Sequence, residues 1–230
     1  MKSMLFALAC LMIMAGCVTT PVGPAPVKPS PTPVVVVPTP TPVPTPLPRI
    51  ALSWENTTQP HPERMPWSDA LIADIDKHFT QLDKATDISK FCAPYASLTH
   101  VQKLQVWAEL FVGDAYYESA WTPTCESVDV GTKNDKGSWS VGLFQVSGND
   151  WQNSMHYSYE QLKQPLPNID LGVNTMALQI DKVGTVLIGP GRNMLYWSTL
   201  HPGGQYDKSA SIIARVKKLP FCQTQSIKKH

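Results

Sequence analysis

One stretch near the middle of the chain, from Thr99 to Pro123, combines the pattern of a buried helix with an acid on its apolar face. Thr99 and Gln102 predict a capping box at the start, and Pro123 predicts an end near Trp121. The predicted apolar face holds residues spaced four and three apart, which are Leu104, Ala108, Phe111, Ala115 and Glu118. Glu118 therefore stands where an apolar side chain is expected.

The chemistry expected of Glu118 follows from this position. A carboxylate on a buried face loses hydration, and near the end of a helix it also meets the negative end of the helix dipole. Both effects favour the protonated form, so we predict a raised pKa and a role as general acid. The alternative is a glutamate at the edge of a helix, half in water.

Charge and composition limit the classes of partner. The chain has 230 residues, with 19 basic and 18 acidic residues and a formal net charge of +1. This balance gives no electrostatic basis for binding nucleic acid or an anionic membrane surface. Seven tryptophans is a high count, and flat aromatic rings are used both in cores and in saccharide sites.

The first 16 residues are predicted to be a lipoprotein signal peptide. Lys2 precedes an apolar run from Met4 to Ala15 that is too short to span a bilayer. The residues that follow, Met-Ala-Gly-Cys at 14–17, resemble a bacterial lipobox, so Cys17 is the predicted site of lipidation. The alternatives are an ordinary signal peptide cut nearby and an unmodified cysteine.

Residues 17–48 are predicted to form a tether behind the lipidated cysteine. They contain repeated Pro-Thr-Pro and Pro-Val-Pro units, which cannot form a helix and have little to bury. At about 3.1 Å per residue, such an extended segment reaches roughly 90 Å. A ligand for a proline-binding module is the alternative. The remaining residues, 49–230, are enough for one domain.

The segment 49–230 predicts a mainly helical domain. The predicted helices cover 67–83, 99–121, a segment capped by Asn168 and ended by Gly184, 193–200 and 207–219. Residues 122–140 are rich in Gly, Asp, Asn, Lys and Ser, which indicates an exposed loop. The apolar residues 142–146 predict a short strand or a tight buried turn.

Three cysteines fall in this domain, Cys92, Cys125 and Cys222. In an exported protein they permit one disulfide and leave one thiol, and any of the three pairings fits the sequence. No histidine stands at ligand spacing from them, so zinc is disfavoured. We therefore predict neither a metal site nor a cofactor.

Four short motifs, taken in order, resemble the lysozyme-like domain of soluble lytic transglycosylases and goose-type lysozymes. They are Glu118-Ser119 followed by Trp121 and Pro123, then Gly142-Leu143-Phe144-Gln145-Val146, Asn168-Ile169 with Gly172, and a motif around Tyr196. The family's fourth motif is Ala-Tyr-Asn-Ala-Gly, whereas this chain has Leu195-Tyr196-Trp197-Ser198, so only the tyrosine carries over. The resemblance extends over residues 68 to 219.

This resemblance implies an α+β lysozyme-like fold, mainly α, in which a small β or turn element flanks the catalytic cleft. It also implies cleavage of the β-1,4 bond between N-acetylmuramic acid and N-acetylglucosamine in peptidoglycan, with Glu118 as the catalytic acid. The residues expected to contact the substrate are Ser119, Gly142, Leu143, Phe144, Gln145, Tyr196 and Trp151. We expect a monomer whose partners are glycan strands and, through the lipid anchor alone, a membrane.

Individual roles follow from the chemistry of these side chains. Gly142 lacks the Cβ that would keep a saccharide away from the backbone, and Gln145 offers an amide to a sugar hydroxyl or to Glu118. Tyr196 would steady a developing oxocarbenium ion or orient Glu118. For each, a purely structural role in a buried turn or a core is the alternative.

A hydrolase with two carboxylates would need a partner for Glu118. Asp129, Asp135 and Asp150 lie in or beside the predicted loop, but no spacing distinguishes any of them. By the resemblance, lytic transglycosylases use one glutamate, first as acid and then as base, while the substrate's own groups close an anhydro ring. We therefore favour non-hydrolytic cleavage.

Two alternatives remain at this point. One is a hydrolytic lysozyme, including one that acts on deacetylated peptidoglycan. The other, from a different class, is an inactive peptidoglycan-binding or inhibitor lipoprotein, for which Trp197 in place of asparagine speaks. Val18 provides no acidic retention signal after Cys17, so a periplasm-facing location at the outer membrane is expected.

Overall fold

A computed structural model describes residues 49–128, 139–147, 155–188 and 196–223, all within the compact unit Pro44–His230. The helices in these ranges are α1 (Met65–Lys77), α2 (Phe79–Leu82), α3 (His100–Ser119), α4 (Tyr159–Leu162), α5 (Pro165–Val183) and α6 (Ser209–Val216). Three strands, β1 (Glu126–Val128), β2 (Trp139–Val141) and β3 (Val146–Ser147), form an antiparallel sheet in the order β1-β2-β3. The predicted mainly helical fold is confirmed.

Helix α3 is the centre of the domain. Its start is as predicted, because the Thr99 side chain accepts from the Gln102 backbone while the Gln102 side chain accepts from the Thr99 backbone. Every residue from Leu104 to Ala115 is buried, and α1 and α6 pack against the helix. The helix ends at Ser119, two residues earlier than predicted, because Ala120 and Trp121 adopt left-handed backbone conformations.

Several predicted boundaries differ from the observed ones. The predicted helix 67–83 is two helices, α1 and α2, separated at His78. The predicted helix 207–219 is reduced to α6, and the described part of 193–200 contains only the 3-10 turn Ser198–Leu200. The predicted loop 122–140 contains β1, whose pairing with β2 depends on residues distant in sequence.

The prediction that Asn168 caps a helix was wrong. Helix α5 begins at Pro165, after Gln164 in an extended conformation, since proline is favoured in the first turn and has no N–H to satisfy there. Asn168 lies inside the helix and is fully buried. The other end is as predicted, with Gly184 in the left-handed conformation at φ +73°.

A disulfide joins Cys92 to Cys222 across 130 residues, which selects one of the three pairings that the sequence allowed. Cys125 does not take part in it. None of the helices within the described ranges is long and apolar enough to cross a membrane.

Removing this disulfide is expected to destabilise the domain. Because the bond closes a long loop, replacing Cys92 and Cys222 by serine should lower the free energy of unfolding by about 3 kcal/mol. The midpoint of urea denaturation measures the change. Cys125→Ser is the matched control and should cost less than about 1 kcal/mol. Equal stability of the double variant and the wild type would contradict the prediction.

Candidate active site

Glu118 lies in the last turn of α3, where its side chain is partly exposed. Burial raises the pKa of its carboxyl to about 7, and the hydroxyl of Thr199, 3.0 Å from Oε1, acts in the opposite direction. The predicted raised pKa is therefore confirmed, with loss of hydration as its main cause. A group with this pKa is substantially protonated near neutral pH, as a general acid must be.

A second acid, Asp114, lies one helical turn before Glu118 and has no exposed surface. Its Oδ1 lies 2.6 Å from the same Thr199 hydroxyl oxygen. Burial, reinforced by the charge of Glu118, raises the pKa of Asp114 well above its usual value. Sequence reasoning missed both Asp114 and Thr199, although an aspartate four residues before Glu118 in an apolar helix was a detectable signal.

The tight turn 142–145, which joins β2 to β3, lies against the end of α3. Gly142 adopts φ +79°, and a Cβ placed on it would lie 2.1 Å from Nδ2 of Asn168 and 2.5 Å from the carbonyl oxygen of Leu162. The glycine is required by this close approach of Asn168 and Leu162. Its predicted role in admitting a saccharide to the backbone stays a prediction.

Asn168 holds this turn in place. Its Nδ2 donates to the carbonyl oxygens of Val141, at 2.9 Å, and Leu162, at 2.8 Å, while its Oδ1 accepts from the backbone N–H of Phe144 at 2.9 Å. The buried amide therefore uses both of its donors and its acceptor within the protein. The third motif of the resemblance supports the second one structurally.

Ser119 connects the turn to α3. Its hydroxyl donates to the Leu143 carbonyl oxygen at 2.8 Å. The side chains of Leu143 and Phe144 have no exposed surface, and a Cβ on Gly172 would lie 2.7 Å from the Phe144 ring. In this structure these residues position the turn against the C-terminal end of α3. Direct contact of Ser119, Leu143 or Phe144 with a saccharide stays a prediction.

Gln145 and Tyr196 complete the turn. Gln145, at φ +47°, donates from Nε2 to the carbonyl oxygens of Gly142, at 2.9 Å, and Cys125, at 3.1 Å. Its Oε1 accepts from Ser127 at 2.7 Å, and its backbone carbonyl accepts from the Tyr196 hydroxyl at 2.8 Å. Both amide donors of Gln145 are thus used inside the protein in this structure, and its predicted bond to a sugar or to Glu118 stays a prediction.

Trp197, which replaces the family's asparagine, is a core residue. It is 2% exposed, and its Nε1 donates to the Phe144 carbonyl oxygen at 2.9 Å. Its indole fastens the segment that carries Tyr196 and Thr199 to the turn.

Some candidate residues lie outside the described ranges. They are Trp151, the lipidation site Cys17 and the acids Asp129, Asp135 and Asp150. Within the described part of the chain, no cluster of His, Cys, Asp and Glu is arranged to hold a metal ion.

The other buried acid of α3 is Glu109. It accepts hydrogen bonds from the backbone N–H and the hydroxyl of Ser53, so it fastens the start of the domain to the helix.

Glu118, with its raised pKa, lies in the last turn of the buried helix α3, and its neighbour Ser119 holds the glycine turn, which together form a candidate lysozyme-like active site within a mainly helical fold. Residues 97–198 match the family model described as Transglycosylase SLT domain. This match, together with the fold, supports an enzyme of the lytic transglycosylase or lysozyme-like class, with peptidoglycan glycan as substrate class.

Solved structures support the same fold. The chain is similar to wild-type DslA, form 2, with a TM-score of 0.65 and 24% sequence identity over 76% of this chain and 98% of that one. A DslA variant with glutamine in place of a glutamate matches with a TM-score of 0.64 and 25% identity, over 75% and 97% of the two chains. No curated protein matches the chain in sequence.

Proposed function

We propose that this protein is a lytic transglycosylase that cleaves the β-1,4 bond between N-acetylmuramic acid and N-acetylglucosamine, with Glu118 as its single catalytic acid and base. The observation that carries the proposal is the position of Glu118 in the last turn of the buried helix α3, where burial raises its pKa to about 7. A glycosidic oxygen needs a proton in order to leave, and a carboxyl of ordinary pKa would be ionised at neutral pH.

The reaction uses the same carboxyl twice. Neutral Glu118 gives its proton to the glycosidic oxygen as the bond from that oxygen to the anomeric carbon breaks. The resulting carboxylate then takes a proton from a hydroxyl of the same sugar, whose oxygen bonds to the anomeric carbon and closes an anhydro ring. The carboxyl regains its proton in this step, so the enzyme is restored without water.

Among the residues that the structure describes, Asp114 does not supply the second carboxylate that hydrolysis would need, and the acids Asp129, Asp135 and Asp150 lie outside them. A two-carboxylate hydrolase needs a second acid that reaches water or the anomeric carbon beside the sugar. Asp114 is the acid that shares a hydroxyl with Glu118, and it has no exposed surface. It therefore cannot activate a water molecule at the substrate. Hydrolysis is the second candidate.

The mass of the released products distinguishes the two routes. The purified protein is incubated with sacculi of normal acetylation and with chemically deacetylated sacculi. Products with anhydro ends, one water lighter than reducing ends, are expected. Products with reducing ends would show that the enzyme is a hydrolase and not a transglycosylase. Release from the deacetylated sacculi alone would identify deacetylated peptidoglycan as the substrate. If the protein bound both kinds of sacculi but released no products from either, only the alternative of an inactive binding or inhibitor protein would remain.

The pH dependence of cleavage follows from the pKa of Glu118. Only the protonated form can start the reaction, so kcat/KM on soluble glycan fragments should be highest below about pH 7 and fall as the pH rises further. Melting temperatures recorded over the same range separate this titration from unfolding. A rate that stays level from about pH 5 to about pH 9 would contradict the role of Glu118.

We further propose that the enzyme is a monomeric lipoprotein, anchored at Cys17 and facing the periplasm from the outer membrane. The lipobox-like residues 14–17 and the proline-rich residues 17–48 support this proposal. Cys17→Ser should move the protein from the membrane fraction to the soluble periplasmic fraction. Unchanged membrane association of the serine variant would contradict it.

A further inference from the structure

The hydroxyl of Thr199 contacts two carboxyl groups but has one proton. Its oxygen lies 2.6 Å from Oδ1 of Asp114 and 3.0 Å from Oε1 of Glu118. If both carboxyls were ionised, the hydroxyl could donate to only one of them, and the other contact would bring two lone pairs together. At least one of the two acids must therefore be protonated.

Burial identifies Asp114 as the neutral acid. Its side chain has no exposed surface, and its Oδ2 is buried without a hydrogen-bond partner within the described part of the chain. A carboxylate in that position would leave a charge with neither water nor a donor to stabilise it. Glu118 is partly exposed and can be hydrated when it ionises.

We propose that Asp114 is a permanently protonated positioning residue whose O–H donates to Thr199, so that the Thr199 hydroxyl donates to Oε1 of Glu118. This chain of donors gives every contact one proton. It reserves Oε1 as an acceptor and leaves Oε2 as the oxygen that exchanges a proton with the substrate. The inference rests on Glu118 being the acid of the proposed function.

Charged groups on the neighbouring elements do not change this assignment. Neither Asp114 nor Glu118 has its pKa shifted by any charged side chain other than the pair itself, among the described residues. The acidic and basic groups on the helices that pack against α3 are Asp69, Asp74, Asp76 and Lys77 on α1 and Arg215 on α6. Those that flank these helices or the Ser198–Leu200 turn are Arg64, His78, His201, Asp207, Lys208, Lys217 and Lys218.

Two substitutions test the chain of donors. Asp114→Asn replaces the neutral acid by a neutral amide donor, so kcat should stay within about threefold of wild type, with an unchanged pH profile. Thr199→Val removes the hydroxyl but keeps the shape, so kcat should fall about tenfold or more, and the descending limb of the profile should move to higher pH. Thr199→Ser keeps the hydroxyl, so its kcat and its pH profile should both match those of the wild type.

The matched control is Glu109→Gln, which neutralises the other buried acid of α3 at its contact with Ser53. It should leave the pH profile unchanged. Loss of activity in Asp114→Asn as severe as in Glu118→Gln would show that Asp114 acts as a charged group, and would overturn the proposal. An unchanged profile in Thr199→Val would overturn it as well.

A spectroscopic titration tests Asp114 without any reaction. In protein labelled with carbon-13 at the carboxyl groups, the Asp114 resonance should keep the chemical shift of a neutral acid from about pH 4 to about pH 9. A titration of Asp114 anywhere in that range would overturn the inference. If the wild type releases no muropeptides, the proposed function fails, while this measurement still decides the state of Asp114.

Discussion

Replacing Glu118 by glutamine is expected to reduce the release of muropeptides by about a thousandfold or more, because one carboxyl supplies both proton transfers of the proposed reaction. Glutamine has nearly the same shape and still accepts a hydrogen bond from Thr199 at its carbonyl oxygen. It has no proton that it can give to a leaving oxygen. The measurement is the initial rate of release of soluble products from sacculi.

Glu160→Gln is the matched control for this loss. Glu160 is an exposed glutamate of α4 that pairs with Lys163, and its replacement should leave the rate unchanged. A residual rate of Glu118→Gln within about tenfold of wild type would show that the proton comes from another group.

The stability of the same variant provides a second check. The folded-state pKa of Glu118, about 7, lies above its ordinary value of 4.5, so the folded protein holds the proton more tightly than the unfolded chain does. This contribution to stability is complete below about pH 4.5 and is lost as the pH rises through about 7. Glu118→Gln cannot ionise, so its unfolding free energy relative to that of the wild type should rise between about pH 4.5 and about pH 7 and level off at higher pH.

Replacing Gly142 by alanine is expected to lower the free energy of unfolding by about 4 kcal/mol. The backbone there adopts φ +79°, which an alanine tolerates poorly, and the new Cβ would lie 2.1 Å from Nδ2 of Asn168 and 2.5 Å from the Leu162 carbonyl oxygen. Asn168 can move only by giving up buried hydrogen bonds to Val141, Leu162 and Phe144. Urea denaturation measures the loss.

Gly184→Ala separates the two causes of this loss. Gly184 also has a positive φ, at +73°, but a Cβ on it would meet nothing within 4 Å. That variant should lose only the conformational part, about 1 kcal/mol. If both alanine variants lost the same amount, the contact with Asn168 would contribute nothing, and the proposed reason for the glycine would be wrong.

Local sequence patterns predict a structural feature correctly when that feature depends on residues close together in the chain. The capping box at Thr99 was predictable because both of its hydrogen bonds join residues three apart in the chain. The start of α5 was mispredicted because an asparagine before an apolar run is typical of a cap, whereas Pro165 already begins the helix. The side chain of Asn168 is used instead by partners in β2 and in the turn.

Periodicity could not identify which acids of α3 matter, because this helix is buried on all sides from Leu104 to Ala115. A pattern of apolar residues distinguishes an inner from an outer face only when an outer face exists. Asp114 and Glu109 are both buried acids of one helix. Only their contacts, Thr199 for one and Ser53 for the other, separate a residue of the active site from one that fastens the start of the domain.

Short-range sequence patterns predicted a mainly helical domain, a central helix that begins after Thr99, an acid in the last turn of that helix and a glycine turn downstream. Packing of distant segments selected the pairing of Cys92 with Cys222, placed Asn168 against Gly142, and brought Glu118 to a hydroxyl 81 residues further along the chain. The difference follows from distance along the chain. Caps and turns depend on residues close in sequence, whereas the groups that set the pKa of a carboxyl are brought together only when the core packs.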